Sequence, residues 1–209
     1  MTVLKMLIRI VPAAVALLAL AGCATTKISS SWKDPAYHGH PNRIMVIGMT
    51  KQVTNRRVFE DEFVRLIKAA GTDAIASYTV LSGKLDTDHT GITAAMKRQG
   101  ADAVLITRLL EIKTENIYVP GTVDALPMRY ESWSYHYRFG YDMMYSPGYM
   151  AEERYAVVET SLYDTTDDRL LWSAKSRTEL KGADHQQIKS IVKALVSSMT
   201  EEQILKPLQ

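Results

Sequence analysis

The chain has one cysteine, Cys23. An internal disulfide is therefore excluded. The loop after the first candidate strand lacks the glycines of a phosphate-binding loop, so a nucleotide fold is not indicated. No GxSxG elbow sets up a serine nucleophile, and no pair of carboxylates stands out as an acid/base couple. An excess of charge is missing too. The first 22 residues hold Lys5 and Arg9 and no acid, so of 25 basic residues 23 remain, against 23 acidic ones. Such a neutral body gives no electrostatic case for nucleic acid or for long-range steering to an anionic surface. Metal ligands are also sparse. His38 and His40 in "YHGHP" are two apart and would share a strand face, but no cysteine or acidic cluster adjoins them. His89, His136 and His185 are scattered. Neither a metal nor a cofactor is assigned, and no internal repeat is visible.

What is present begins at the amino terminus. "MTVLKMLIRI" is basic, "VPAAVALLAL" is apolar, and small residues follow at "LAGC", Leu20 to Cys23. That order describes a secretory signal over residues 1–22. A transmembrane anchor is the alternative, but the run is short and contains Pro12. Leu20-Ala21-Gly22-Cys23 resembles the lipobox of bacterial lipoproteins. The resemblance implies cleavage before Cys23, a thioether-linked diacylglycerol on its sulfur and a third acyl chain, such as palmitate, on the new amino terminus. Ala24 in place of Asp implies sorting to the outer membrane, with the domain facing the periplasm.

Residues 23–42 read as the lipidated cysteine and a tether, with an edge strand at "KISSSW". The folded domain is expected over 43–209. Arg43–Thr50 is a buried strand. Phe59, Phe63, Leu66, Ile67 and Ala70 share a helical face that Gly71 ends. Asp73–Leu81 reads as a strand and Thr90–Gly100 as a helix with Ile92, Ala95 and Met96 inward. Ala101–Ile112 reads as a central strand. Arg154–Asp164 and Arg169–Leu180 form a hairpin around "TTDD", whose Asp164, Asp167 and Asp168 bond their own backbone. Asp184 is placed to cap a last helix, with Gln187 reaching back. Ile188, Ile191, Val192, Leu195 and Met199 form the apolar stripe of that helix, and Pro207 stops it. The expected class is α/β (α+β): one domain, β-α-β-α-β, then a hairpin and a C-terminal helix on a mixed sheet, with a Tyr-rich insertion over about 119–153.

"KRQGADAVLITRL" and "VVETSLYDTTDDRLLWSAKSRTEL" are similar to segments of small periplasmic α/β domains. These occur in the amino-terminal half of the Tol translocation protein and in the curli-secretion lipoprotein. "SWKDPAY" with "NRRVFEDEF" resembles a group of Gram-negative lipoproteins. The resemblance implies an envelope protein and brings no catalytic residue.

Two stretches carry candidate sites. Lys51, Arg56 and Arg57 gather near a helix start, where they and the free N–H groups would hold an anion. Local pairing of Arg56 with Glu60 and of Arg57 with Asp61 is the competing reading. In "MRYESWSYHYRFGYDMMYSPGYM", Trp133, Tyr135, Tyr137, Phe139 and Tyr141 occupy alternate positions. On a strand all five rings share a face. That face is core, or a surface for a protein partner or the bilayer interface; a loop without fixed structure is the third reading. The expected role is a non-enzymatic interaction or assembly-accessory module. It is bound to the membrane by the lipid on Cys23 and open to an envelope protein partner. The alternative is binding of a small ligand or glycan.

Overall fold

A computed structural model describes residues 26–81, 89–121, 134, 147–181 and 183–206. These form a six-stranded mixed sheet and three α-helices. In chain order the elements are β1 (Thr26–Lys33), β2 (Arg43–Met49), α1 (Val53–Ala69), β3 (Asp73–Ala76), α2 (His89–Gln99), β4 (Ala103–Val119), β5 (Tyr149–Asp164), β6 (Leu170–Glu179) and α3 (Asp184–Glu201). The sheet order is β1-β6-β5-β4-β2-β3. The strands β2, β3 and β4 are parallel, while β1, β6 and β5 pair antiparallel. Between β4 and β5, Thr107 meets Thr160 and Arg108 meets Glu159, so that pair is antiparallel as well. The chain divides into two units: the residues up to Lys113 and from Tyr155 on, and Thr114–Arg154. In the second unit Tyr118, Tyr149 and Met150 are exposed.

In the first unit β2 is buried on both faces, as a uniformly apolar run requires. Ile44 and Val46 face α1 and α3, where Phe59, Phe63, Ile67, Ile191, Leu195 and Met199 complete the larger core. Met45 and Ile47 face α2, packing with Ala95, Met96 and Val104. The stretch "TTDD" makes the expected turn. Thr166 N–H donates to Asp164 and Arg169 N–H to Asp167, and Asp168 takes a φ of 56°. Trp172, on the hairpin, is wholly buried.

Several expectations change; Pro207, for one, does not stop α3, which ends at Glu201 with Gln203 at a φ of 55°. "KISSSW" does belong to an edge strand, but the strand starts at Thr26 and pairs with β6 for its whole length, so most of the supposed tether is part of the fold. The strand expected over Asp73–Leu81 stops at Ala76 and turns into a short 3-10 helix, Ser77–Thr79. Side-chain bonds win there: Thr79 Oγ1 donates to the Ala76 carbonyl, and Ser77 turns toward Glu60. The strand expected to end at Ile112 continues to Val119, past the end of its apolar signal. Finally, Asp184 is the first helical residue of α3 rather than its cap. Ala183 holds that position with extended backbone and no side-chain cap bond.

Candidate functional site

In this sheet β3 lies on one side of β2 and β4 on the other. The connection through α1 therefore leaves β2 in one direction, and the chain returning through α2 enters β4 on its far side. The divergence opens a crevice beyond the carboxyl ends of the parallel strands, where α/β sheets bind ligands. The crevice is occupied here by an apolar cleft of about 180 Å³. Its base is the end of β2 (Gly48, Met49) with Thr107 and Leu109 of β4 and Ala156 and Val158 of β5. Asn55 and Phe59 of α1 form one wall, and Gln187, Ile188 and Ile191 of α3 form the other. The helices α1 and α3 pack against each other, and both begin at this end. Of the lining residues, Met49 and Leu109 are 55% and 52% exposed.

Behind the end of β2 lies a buried polar network. The Glu60 carboxylate is fully buried. Its Oε1 accepts from Gly48 N at 3.0 Å, Arg56 Nε at 2.9 Å and Ser77 Oγ at 2.8 Å. Its Oε2 accepts from Tyr78 N at 3.0 Å. Arg56 Nη2 also donates to Ser77 Oγ at 2.8 Å. Every charge in the set thus meets an opposite charge or a dipole, as burial demands. Gly48 has a steric part in this: a Cβ there would lie 3.3 Å from the Phe59 ring and 3.6 Å from Glu60 Cγ. The network locks the first turns of α1 and the 3-10 helix onto β2, which fixes one wall of the cleft.

The three cations of the anion-site reading have different surroundings. Arg56 is buried on Glu60 and Ser77, in the local pairing weighed against it. Arg57 is exposed, and its guanidinium lies 5.5 Å over the Tyr78 ring. The expected partner of Arg57, Asp61, accepts from the Tyr78 hydroxyl at 2.7 Å, a bond that raises the Tyr78 pKa above its ordinary value. Lys51 is exposed. His40 lies 3.4 Å from the Ile204 carbonyl, and His38 is exposed. Trp133, Tyr135, Tyr137, Phe139 and Tyr141 lie outside the described residues, and so does Cys23. Glu60 was legible in principle: Arg56, Glu60, Phe63 and Ile67 share one helical stripe, so a charge pair on the apolar face was written in the spacing.

No protein-family model matches the chain, and no curated protein matches it. Among solved structures, the chain is similar to the PelC dodecamer from Paraburkholderia phytofirmans, at 14% identity and a TM-score of 0.46, over 87% of this chain and 99% of that one. It is also similar to the lipoprotein GNA1162 from Neisseria meningitidis, at 15% identity and a TM-score of 0.41, over 77% of this chain and 99% of that one. Neither likeness assigns a role to a residue.

Proposed function

We propose that this is a lipid-anchored envelope protein, held by an acylated Cys23 at the periplasmic face of the outer membrane, that acts by binding rather than by catalysis. The observation that carries this reading is the short distance from anchor to fold. Thr26, the first residue of β1, is three residues beyond Cys23. Three residues reach at most about 10 Å. A domain held that closely meets what lies at the membrane surface and little else. The cleft fits a binding role: its lining is mainly apolar, and the charges behind it are bonded to one another. An interaction or assembly-accessory module is the specific role proposed, with the aromatic stretch as the face for an envelope protein.

Crosslinking of the native lipidated protein, followed by mass spectrometry, tests this. Crosslinks from residues 119–153 to an envelope protein are expected, and they should vanish in a Tyr135→Ser, Tyr137→Ser protein that melts like the parent. Unchanged crosslinks, or none to any envelope protein, would oppose the role. The cleft itself favours one second reading, a small apolar or glycan ligand held by its mainly apolar lining. Native mass spectrometry showing a retained small molecule would support that alternative.

A further inference from the structure

The two faces of the sheet are covered unequally. Along β5 and β6, buried residues alternate with half-buried or exposed ones. The buried set, with Val158, Trp172 and Ala174, packs into the core beneath α3, and the opposite face of these strands stays open. The register fixes what that open face presents. Lys27 of β1 stands directly opposite Arg177 of β6, and Ser30 stands opposite Lys175. Trp32 stands opposite Ser173, which faces Ser161 of β5 with the two hydroxyl oxygens 3.1 Å apart. The Arg177 guanidinium lies 3.7 Å over the Tyr155 ring. Lys27 and Lys175 are exposed, and Trp32 is 47% exposed.

The charge pattern on this face is costly. Like charges directly opposite each other on paired strands repel, yet Lys27 faces Arg177, and Lys175 lies two residues away on the same side of β6. The carboxylates of the face are engaged elsewhere: Glu159 is held by Arg108 at 2.7 Å, and Glu179 by Lys181. An anion laid across the three cations would remove the repulsion.

We infer that the open face of β1, β6 and β5 is a binding surface for an acidic saccharide, a chain of sugar rings that bear carboxylates. The carboxylates meet Lys27, Lys175 and Arg177. The apolar face of a ring stacks on Trp32, and sugar hydroxyls exchange hydrogen bonds with Ser30 and Ser173. The size of the face suits this occupant. Three strands span about 10 Å, and Lys27 to Trp32 about 17 Å. That area takes one extended chain and falls well short of the roughly 800 Å² per partner of a stable protein interface. An acidic peptide is the other narrow polyanion, but its main-chain groups would need partners, and those of β5 and β6 are spent in the ladders on either side. A saccharide is recognised through charges, hydroxyls and aromatic rings, which this face supplies. The cleft opens on the opposite face of the sheet, so the two sites are distinct.

Isothermal titration calorimetry of the full chain in detergent micelles tests this with three probes: tetragalacturonate, its methyl ester, and an end-capped tetraglutamate peptide. Tetragalacturonate is expected to bind several-fold tighter than either of the others, and more weakly as salt rises. Lys27→Gln with Lys175→Gln should weaken it roughly ten-fold, and Trp32→Ala several-fold. Lys51→Gln, which removes the exposed lysine next to the cleft residue Thr50, should leave it unchanged. Without ligand, Lys27→Gln is expected to melt no lower than the parent, because it relieves a like-charge pair. A lower Tm would overturn the cost on which the inference stands. Equal binding of the peptide would reduce the face to a charge-only surface, and equal binding of the ester would remove the cations from recognition; either overturns the saccharide. No binding of tetragalacturonate, or a loss through Lys51→Gln that the face variants do not share, would overturn it as well.

Discussion

Four donors converge on the Glu60 carboxylate, and one of them is the buried guanidinium of Arg56. Glu60→Ala would leave that cation buried without its counter-ion. The expected loss is about 3–5 kcal/mol in chemical denaturation. Replacing both partners, as Arg56→Met with Glu60→Leu, is expected to recover only part of it: the unpaired cation is gone, but the Gly48 and Tyr78 N–H groups and the Ser77 hydroxyl lose their acceptor. A single-mutant loss below about 1 kcal/mol would show that the network is not the lock between α1 and β2. Tyr37 offers a separate handle. Burial first, then the nearby Asp102 and Asp164 carboxylates, push its pKa up to about 12. The unfolded chain titrates near 10, so folding favours the protonated phenol. The stability linked to Tyr37 is therefore whole below pH ~10 and is lost as pH rises toward ~12. Denaturation midpoints over that window should fall more steeply in the parent than in Tyr37→Phe. Matching slopes would contradict the assignment.

Ala183, the N-cap of α3, has φ −80° and ψ 141° and makes no side-chain cap bond. Ser there can accept from the Gln186 N–H, so Ala183→Ser is expected to stabilise the protein by about 1 kcal/mol, read as a rise in Tm. An unchanged or lower Tm would refute the cap assignment. On the hairpin, Trp172→Ala should cost about 3–5 kcal/mol because the indole is wholly buried between the sheet and α3. A loss below about 1 kcal/mol would mean that face is not core. These elements also show what the sequence makes legible. The apolar stripe of α1, the hairpin and the helix after it could be read because each writes its packing in local periodicity. The end of β3 could not, since Ser77 leaves strand geometry to bond a carboxylate 17 positions back. Nor could the outer half of β4, where exposed polar residues erase the period-two signal. The cap of α3 was misplaced by one residue because Asp184 suits both the cap and the first turn. The cleft was invisible in sequence, since its lining comes from five elements that meet only through the strand order.

At the scale of the whole molecule, the fold leaves little slack between Cys23 and the sheet. A long tether would let the domain survey the periplasm, whereas the lipid proposed on Cys23, three residues before Thr26, would hold the first unit close to the surface. Everything in the functional account depends on that lipid. The measurement that tests it most directly is the intact mass of the protein extracted from membranes, with fragmentation to locate the modification. The account predicts a chain that begins at Cys23, with a diacylglyceryl thioether on its sulfur and an acyl group on its amine. A chain that retains Met1–Gly22, or that carries a free Cys23 thiol, would contradict it.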